Sequence, residues 1–98
     1  MDLTRTETTA VRVLLGDDNP ALLRAVSDFV RRQTGLVVVG AVGAGEEVVA
    51  HAQARLPDVV VTSLDTPGMS GLAAITRLRK VLPDMAIITL TALKGKAY

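Results

Sequence analysis

Apolar and polar positions along the chain alternate between two periods. Val11-Arg12-Val13-Leu14-Leu15 is β-branched, apolar and cut by Gly16, which predicts a short buried strand. Asn19-Pro20 then opens a helix: Asn19 caps its free amides, Pro20 fits the first turn, and Leu22, Leu23, Val26, Phe29 and Val30 recur at helical spacing. Gly35 marks its end. Leu36 to Val39, extended to Val42, reads as a second strand. Gly43-Ala44-Gly45 turns the chain into a second helix carrying Val48, Val49, Ala52 and Leu56 inward, and Pro57 stops it.

Val59-Val60-Val61 is apolar without alternation, as a central parallel strand covered on both faces requires. Thr66 to Ser70 is rich in turn residues. Leu72, Ile75, Leu78 and Leu82 form the stripe of a third helix, Pro83-Asp84 breaks it, and Met85 to Leu90 supplies a fourth strand. The order βαβαβαβ predicts an α/β fold, a parallel sheet with right-handed crossovers and helices on both faces. Such sheets place ligands at the carboxyl ends of their strands. Asp17, Asp18, Ser63 and Thr91 all fall at predicted strand ends, so they are expected to converge in one pocket.

Composition narrows what that pocket can do. The 98 residues allow one domain, split as a flexible leader over residues 1–10 and a domain over 11–98. Apolar residues make up 49%, and the only aromatics are Phe29 and Tyr98, so the core is aliphatic and lacks the material for base-stacking platforms. A formal charge of +1 gives no general attraction to nucleic acid or anionic lipid. The absence of Cys excludes disulfides, thiolate metal sites and Cys nucleophiles. No apolar stretch is long enough to span a bilayer, and residues 1–9 do not form a signal peptide, so a cytoplasmic placement without membrane contact is expected.

Four segments together resemble the receiver domain of bacterial two-component response regulators, especially of the NarL/LuxR type. They are Val13-Leu14-Leu15-Gly16-Asp17-Asp18-Asn19-Pro20, Leu56-Pro57-Asp58-Val59-Val60-Val61, Pro67-Gly68-Met69-Ser70-Gly71-Leu72, and Ile87-Ile88-Thr89-Leu90-Thr91-Ala92. The resemblance runs from about Val11 to Ala92. It implies a flavodoxin-like, doubly wound, three-layer sheet of strand order 2-1-3-4. It also implies that the acidic pair, Asp17 and Asp18, helps hold Mg²⁺, an oxygen-seeking cation that offsets repulsion between a carboxylate and a phosphoryl group. Thr91 matches the hydroxyl residue that contacts a phosphoryl oxygen and shifts on activation.

The phosphoacceptor departs from this pattern. In the family an Asp stands four residues before the loop proline and eight before the loop glycine; Pro67 and Gly71 both point back to Ser63. Asp65 is two residues later, where relatives contact the metal through a backbone carbonyl, and its side chain is a candidate third carboxylate for a weakened or lost Mg²⁺ site. A serine hydroxyl is neutral and poorly nucleophilic without an adjacent base. Ordinary aspartyl phosphorylation by a histidine kinase is therefore not expected, and no catalytic residue is assigned. The alternative is a Mg²⁺-dependent receiver that takes phosphate on Asp65 or Ser63.

The chain also ends at Tyr98, before the further helix, the lysine-bearing fifth strand and the final helix that the resemblance implies. Lys94 and Lys96 stand too close to Thr91 to match that lysine. The fourth strand is expected to be an exposed edge suited to pairing with a protein partner or a second copy. DNA binding would enter only through a C-terminal domain. His51 is expected at the surface without a role; Arg31, Arg32, Arg77, Arg79 and Lys80 read as solvated helix faces, and Gly43 and Gly45 as turn residues. The sequence thus points to a receiver-like module of a LuxR-type transcriptional regulator, not an enzyme, that works by protein contacts or dimerisation.

Overall fold

A computed structural model of the chain describes residues 10–43, 45–63 and 71–90. The elements follow in the order β1 (Val11–Gly16), α1 (Pro20–Arg31), β2 (Leu36–Val42), α2 (Glu46–Arg55), β3 (Val59–Ser63), α3 (Gly71–Val81) and β4 (Ala86–Leu90). All strand pairs are parallel, and the sheet order is β2-β1-β3-β4. The predicted alternation and strand order are thus observed. Residues 1–9, 44, 64–70 and 91–98 lie outside the described residues, and with them most of the leader expected over 1–10, the loop expected over Thr66 to Ser70, and Thr91.

Strand alternation assigns each face its helices. Leu14 and Val60 point to one side and join Val48, Val49 and Ala52 of α2, Ala74 and Leu78 of α3, and Met85 in the main core. Leu15, Val61 and Leu90 point to the other side, where they line one small cavity together with Leu22, Leu23 and Val26 of α1. The result is three layers, with the sheet in the middle. Leu14, Val48, Val60 and Leu78 are fully buried, and truncating one such aliphatic side chain to Ala costs about 2–5 kcal/mol.

Local chemistry sets the helix limits. Asn19 is extended and its Oδ1 accepts the amides of Ala21 and Leu22 at 3.0 and 3.1 Å, while Pro20 occupies the first turn. The helix ends at Arg31, and Gly35 supplies a φ of +88° in the turn to β2. At the end of α2 the ring of Pro57 excludes the right-handed helical conformation for Leu56. Leu56 adopts φ 49°, the one positive φ among described non-glycine residues.

Several expected core positions are corrected. Leu56 does not face inward: as the C-cap of α2 it is 60% exposed. Leu72 is 69% exposed, and Ala74 takes the buried place beside Leu78 in the main core. Leu22 and Phe29 are exposed, because α1 packs mainly over β2 and β1 and only part of its apolar stripe meets them. β1 and β3 each run to the residue before or at the expected site, Gly16 and Ser63, and β4 starts at Ala86 with Met85 buried just ahead of it. His51 is half-buried, and its Nδ1–H donates to the Glu47 carbonyl at 2.9 Å. No helix among the described residues is long and apolar enough to cross a membrane.

Candidate functional site

The carboxyl ends of β1 and β3 lie side by side. Gly16 pairs with Thr62, so Asp17 and Ser63 are the next residues along two neighbouring strands. Ser63 in turn pairs with Leu90, which places Thr91 one residue past the last described position of β4. Sequence and structure therefore agree that Asp17 and Ser63 share one end of the sheet. Asp65 and Thr91 lie outside the described residues.

Asp17 is 9% exposed and held at both its backbone and its side chain. Its amide donates to the Val42 carbonyl at 3.0 Å, and its Oδ1 accepts the Asn19 amide at 2.8 Å. Asn19 also caps α1, so one short run of residues fixes both the carboxylate and the start of the helix. This is an Asx-type turn, in which the side chain takes the amide two residues ahead. One oxygen of Asp17 is thereby engaged in fixing the turn into α1.

Asp18 is exposed and turns towards the β2–α2 connection, where its Oδ1 lies 3.4 Å from the position a Cβ on Gly43 would take. Glu47 Oε1 accepts the Gly43 amide at 3.1 Å and lies 3.3 Å from that same position. Glu47 was not expected from the sequence to border this end of the sheet. Its only signal is an acidic residue in the first turn of a helix, which usually reflects the helix dipole alone. A side chain on Gly43 would crowd both carboxylates.

Ser63 is 8% exposed and closes β3. Beside it Thr62, fully buried, donates its hydroxyl to the Ser63 carbonyl at 3.4 Å. Every buried side-chain nitrogen and oxygen among the described residues has a hydrogen-bond partner. Gly16 is required here by close approach: a Cβ would overlap Val48 Cγ2 and come within 3.0 Å of Thr62 Oγ1.

As a cation site, the described residues offer Asp17 and Asp18, with a neutral hydroxyl at Ser63. They contain no group of three or more His, Cys, Asp or Glu placed to hold a metal ion. Mg²⁺ is commonly held by one or two carboxylates together with water and phosphate oxygens, so the pair fits a partial ligand set. The third carboxylate expected from the sequence, Asp65, lies outside the described residues. A serine nucleophile needs an adjacent base; the one histidine, His51, lies within α2 with its Nδ1–H on the Glu47 carbonyl.

The sheet order, the acids closing β1 and the residue closing β3 define a receiver domain, and the response regulator receiver domain family matches residues 13–98. The chain belongs to that family, which consists of signal-transduction modules. It is 31% identical over 88 residues to the transcriptional regulatory protein YxjL of Bacillus subtilis, covering 90% of this chain and 40% of that protein. It is 34% identical over 76 residues to the transcriptional activator protein ExaE of Pseudomonas putida, covering 78% of this chain and 36% of the relative. The receiver domain of the response regulator NarL from Mycobacterium tuberculosis superposes with a TM-score of 0.79 at 27% identity, over 87% of this chain and 68% of that one. The chain spans less than half the length of the curated relatives it matches.

Proposed function

We propose that this chain is the receiver part of a LuxR-type transcriptional regulator that signals through contacts with a protein partner or a second copy, without ordinary aspartyl phosphorylation. The observation carrying this reading is Ser63: it closes β3 in a buried position beside Asp17, where the family pattern requires a carboxylate nucleophile. A hydroxyl there removes the acyl-phosphate chemistry and one Mg²⁺ ligand, leaving Asp17 and Asp18 to bind the cation weakly if at all. The frame that would transmit a switch is retained. Asp17 remains tied to α1 through Asn19 and to β2 through Val42. The relatives' names, a transcriptional regulatory protein and a transcriptional activator protein, support a role in transcription; DNA contact through a C-terminal domain and a cytoplasmic placement belong to the same reading. The apolar β4 edge is a further surface for such contacts.

The test is to incubate the chain with a small acyl-phosphate donor and Mg²⁺, then measure intact mass. The expected result is an unchanged mass. A phosphate adduct that is labile to hydroxylamine and lost in Asp65→Ala would replace this reading with an aspartyl-phosphate receiver using Asp65. A hydroxylamine-stable adduct lost in Ser63→Ala would assign a phosphoserine.

A further inference from the structure

α3 differs from the other described helices in its charge. α1 and α2 each carry both signs, whereas Gly71–Val81 has Arg77, Arg79 and Lys80 and no acidic residue along the helix to pair with them. Arg79 is engaged, since its Nη1 donates to the carbonyls of Pro83 and Met85. Arg77 and Lys80 form no hydrogen bond or ion pair among the described residues. Together with Leu72, Ala73 and Thr76 they line an open groove of about 480 Å³. Leu72 is the most exposed of the large apolar side chains described. The Thr76 hydroxyl donates to the Leu72 carbonyl at 3.0 Å, so it has no hydrogen to offer a ligand. The groove therefore has an apolar end at Leu72 and Ala73 and a cationic end at Arg77 and Lys80.

We propose that this face of α3 binds an acidic amphipathic segment of a protein partner, which sets a large apolar side chain on Leu72 and Ala73 and a carboxylate on Arg77 and Lys80. The unpaired cations fix the sign of the occupant, and Leu72 fixes its class. A nucleic-acid backbone satisfies the cations but leaves Leu72 and Ala73 against water. An anionic membrane surface takes helices with a broad apolar face, and this groove has one large apolar side chain. A second copy presenting the same face sets unpaired cations against each other. The spacing is fixed as well. From Leu72 to Arg77 and Lys80 the helix rises about 8–12 Å, so a helical occupant carries its apolar anchor and its carboxylate about five to eight positions apart. α3 follows the connection from Ser63, and Leu72 in its first turn therefore stands at the end of the sheet that holds Asp17 and Ser63. The proposal rests on the reading above for the signalling role of the contact alone: phosphorylation of Asp65 would revise that role and leave the binding itself to be measured.

Panning a display library of random peptides, each about four helical turns long, against the full chain tests it. The enriched sequences should pair an apolar anchor with Asp or Glu at that spacing. In fluorescence anisotropy, synthetic copies should bind a chain carrying Arg77→Glu and Lys80→Glu about tenfold or more weakly, and Leu72→Ser should weaken them comparably. All three side chains are exposed, so the far-ultraviolet circular dichroism should not change. A second measurement needs no variant of the protein: peptides with their acids replaced by Gln should lose about tenfold in affinity for the unaltered chain. Enrichment of no peptide overturns the proposal, as does enrichment without acidic residues or binding that the charge reversals leave intact. Binding to a DNA duplex or to phosphatidylglycerol vesicles that the charge reversals remove, with no peptide so affected, also overturns it and assigns the face to a phosphate-bearing surface.

Discussion

The two ends of the sheet use carboxylates in the same way and differ in what surrounds them. Where the strands begin, Asp58 Oδ2 accepts the Arg12 amide at 2.8 Å while the Asp58 amide donates to the Arg12 carbonyl at 2.9 Å. Arg12 Nη1 then reaches the Leu56 carbonyl at 2.7 Å, and Arg79 Nη1 reaches the carbonyls of Pro83 and Met85 at 3.1 and 2.6 Å. Where the strands finish, Asp17 accepts the Asn19 amide. Asp58 is exposed, whereas Asp17 is buried beside Ser63. One end is therefore joined mostly by exposed hydrogen bonds that water can replace, with the Arg79–Met85 bond partly buried, the other by close packing around polar groups that water cannot easily reach. A receiver needs this difference, because a binding end works only if its groups are held before the ligand arrives.

The largest expected effect comes from filling the packed end. Gly16→Ala places a methyl group against Val48 Cγ2 and Thr62 Oγ1, both on fully buried residues. The cost should be about 2–3 kcal/mol, within the range for overpacking, read as a fall in the denaturation midpoint at constant slope. If Gly16→Ala were milder than a substitution at the exposed end, the contrast between the ends would be wrong.

Next is Ser63→Asp, which puts a carboxylate at the end of β3, the acceptor position of the proposed reading. A second carboxylate beside buried Asp17 should destabilise the cation-free protein by about 2 kcal/mol through desolvation and like-charge repulsion. Mg²⁺ should recover most of that loss, whereas the unaltered chain should gain little from the same titration. Thermal melts with Mg²⁺ and with a chelator separate the two proteins. A Ser63→Asp variant indifferent to Mg²⁺ would mean that Asp17 and Asp18 no longer form a cation site even when the missing acid is returned.

These expectations show what the sequence made legible. The seven elements could be read from their periods, because a strand buried on both faces and an amphipathic helix leave unlike patterns in Val59–Val61 and in Leu72–Leu82. The adjacency of Asp17 and Ser63 was also legible, since a parallel sheet aligns the ends of neighbouring strands. Periodicity says which way a side chain points but not where the neighbouring element ends, and so Leu56 and Leu72 read as core and are exposed. Glu47 was illegible for a different reason. Its contact with the Gly43 amide depends on the distance between the end of β2 and the first turn of α2, which no residue pattern encodes.

At the exposed end Asp58→Ala removes the acceptor of the Arg12 amide. Water can take its place, so the loss should be about 1 kcal/mol, within the usual net value of one hydrogen bond. Asp58→Asn, which keeps a carbonyl oxygen in reach, should lose less than half as much in the same denaturation experiment. An equal loss in both would show that the negative charge, rather than the hydrogen bond, stabilises the start of β1.

The smallest effect is a gain, and it probes the same end from the backbone. Leu56 holds φ 49° and ψ 61° with its side chain 60% exposed, so little packing offsets the crowding of its Cβ. Glycine relieves about 1–2 kcal/mol of that left-handed strain but loses about 0.5–1 kcal/mol through a more flexible unfolded chain. Leu56→Gly should therefore stabilise by about 0.5 kcal/mol, visible as a small rise in melting temperature. The Leu56 carbonyl keeps its bond to Arg12 in this variant, because that bond uses only the backbone. In Arg12→Ala, which lacks that bond, the same glycine should stabilise less, since the left-handed turn at residue 56 would no longer be anchored to β1. A gain of equal size in both backgrounds would show that Pro57 alone fixes the turn and that the Arg12 contact merely accompanies it.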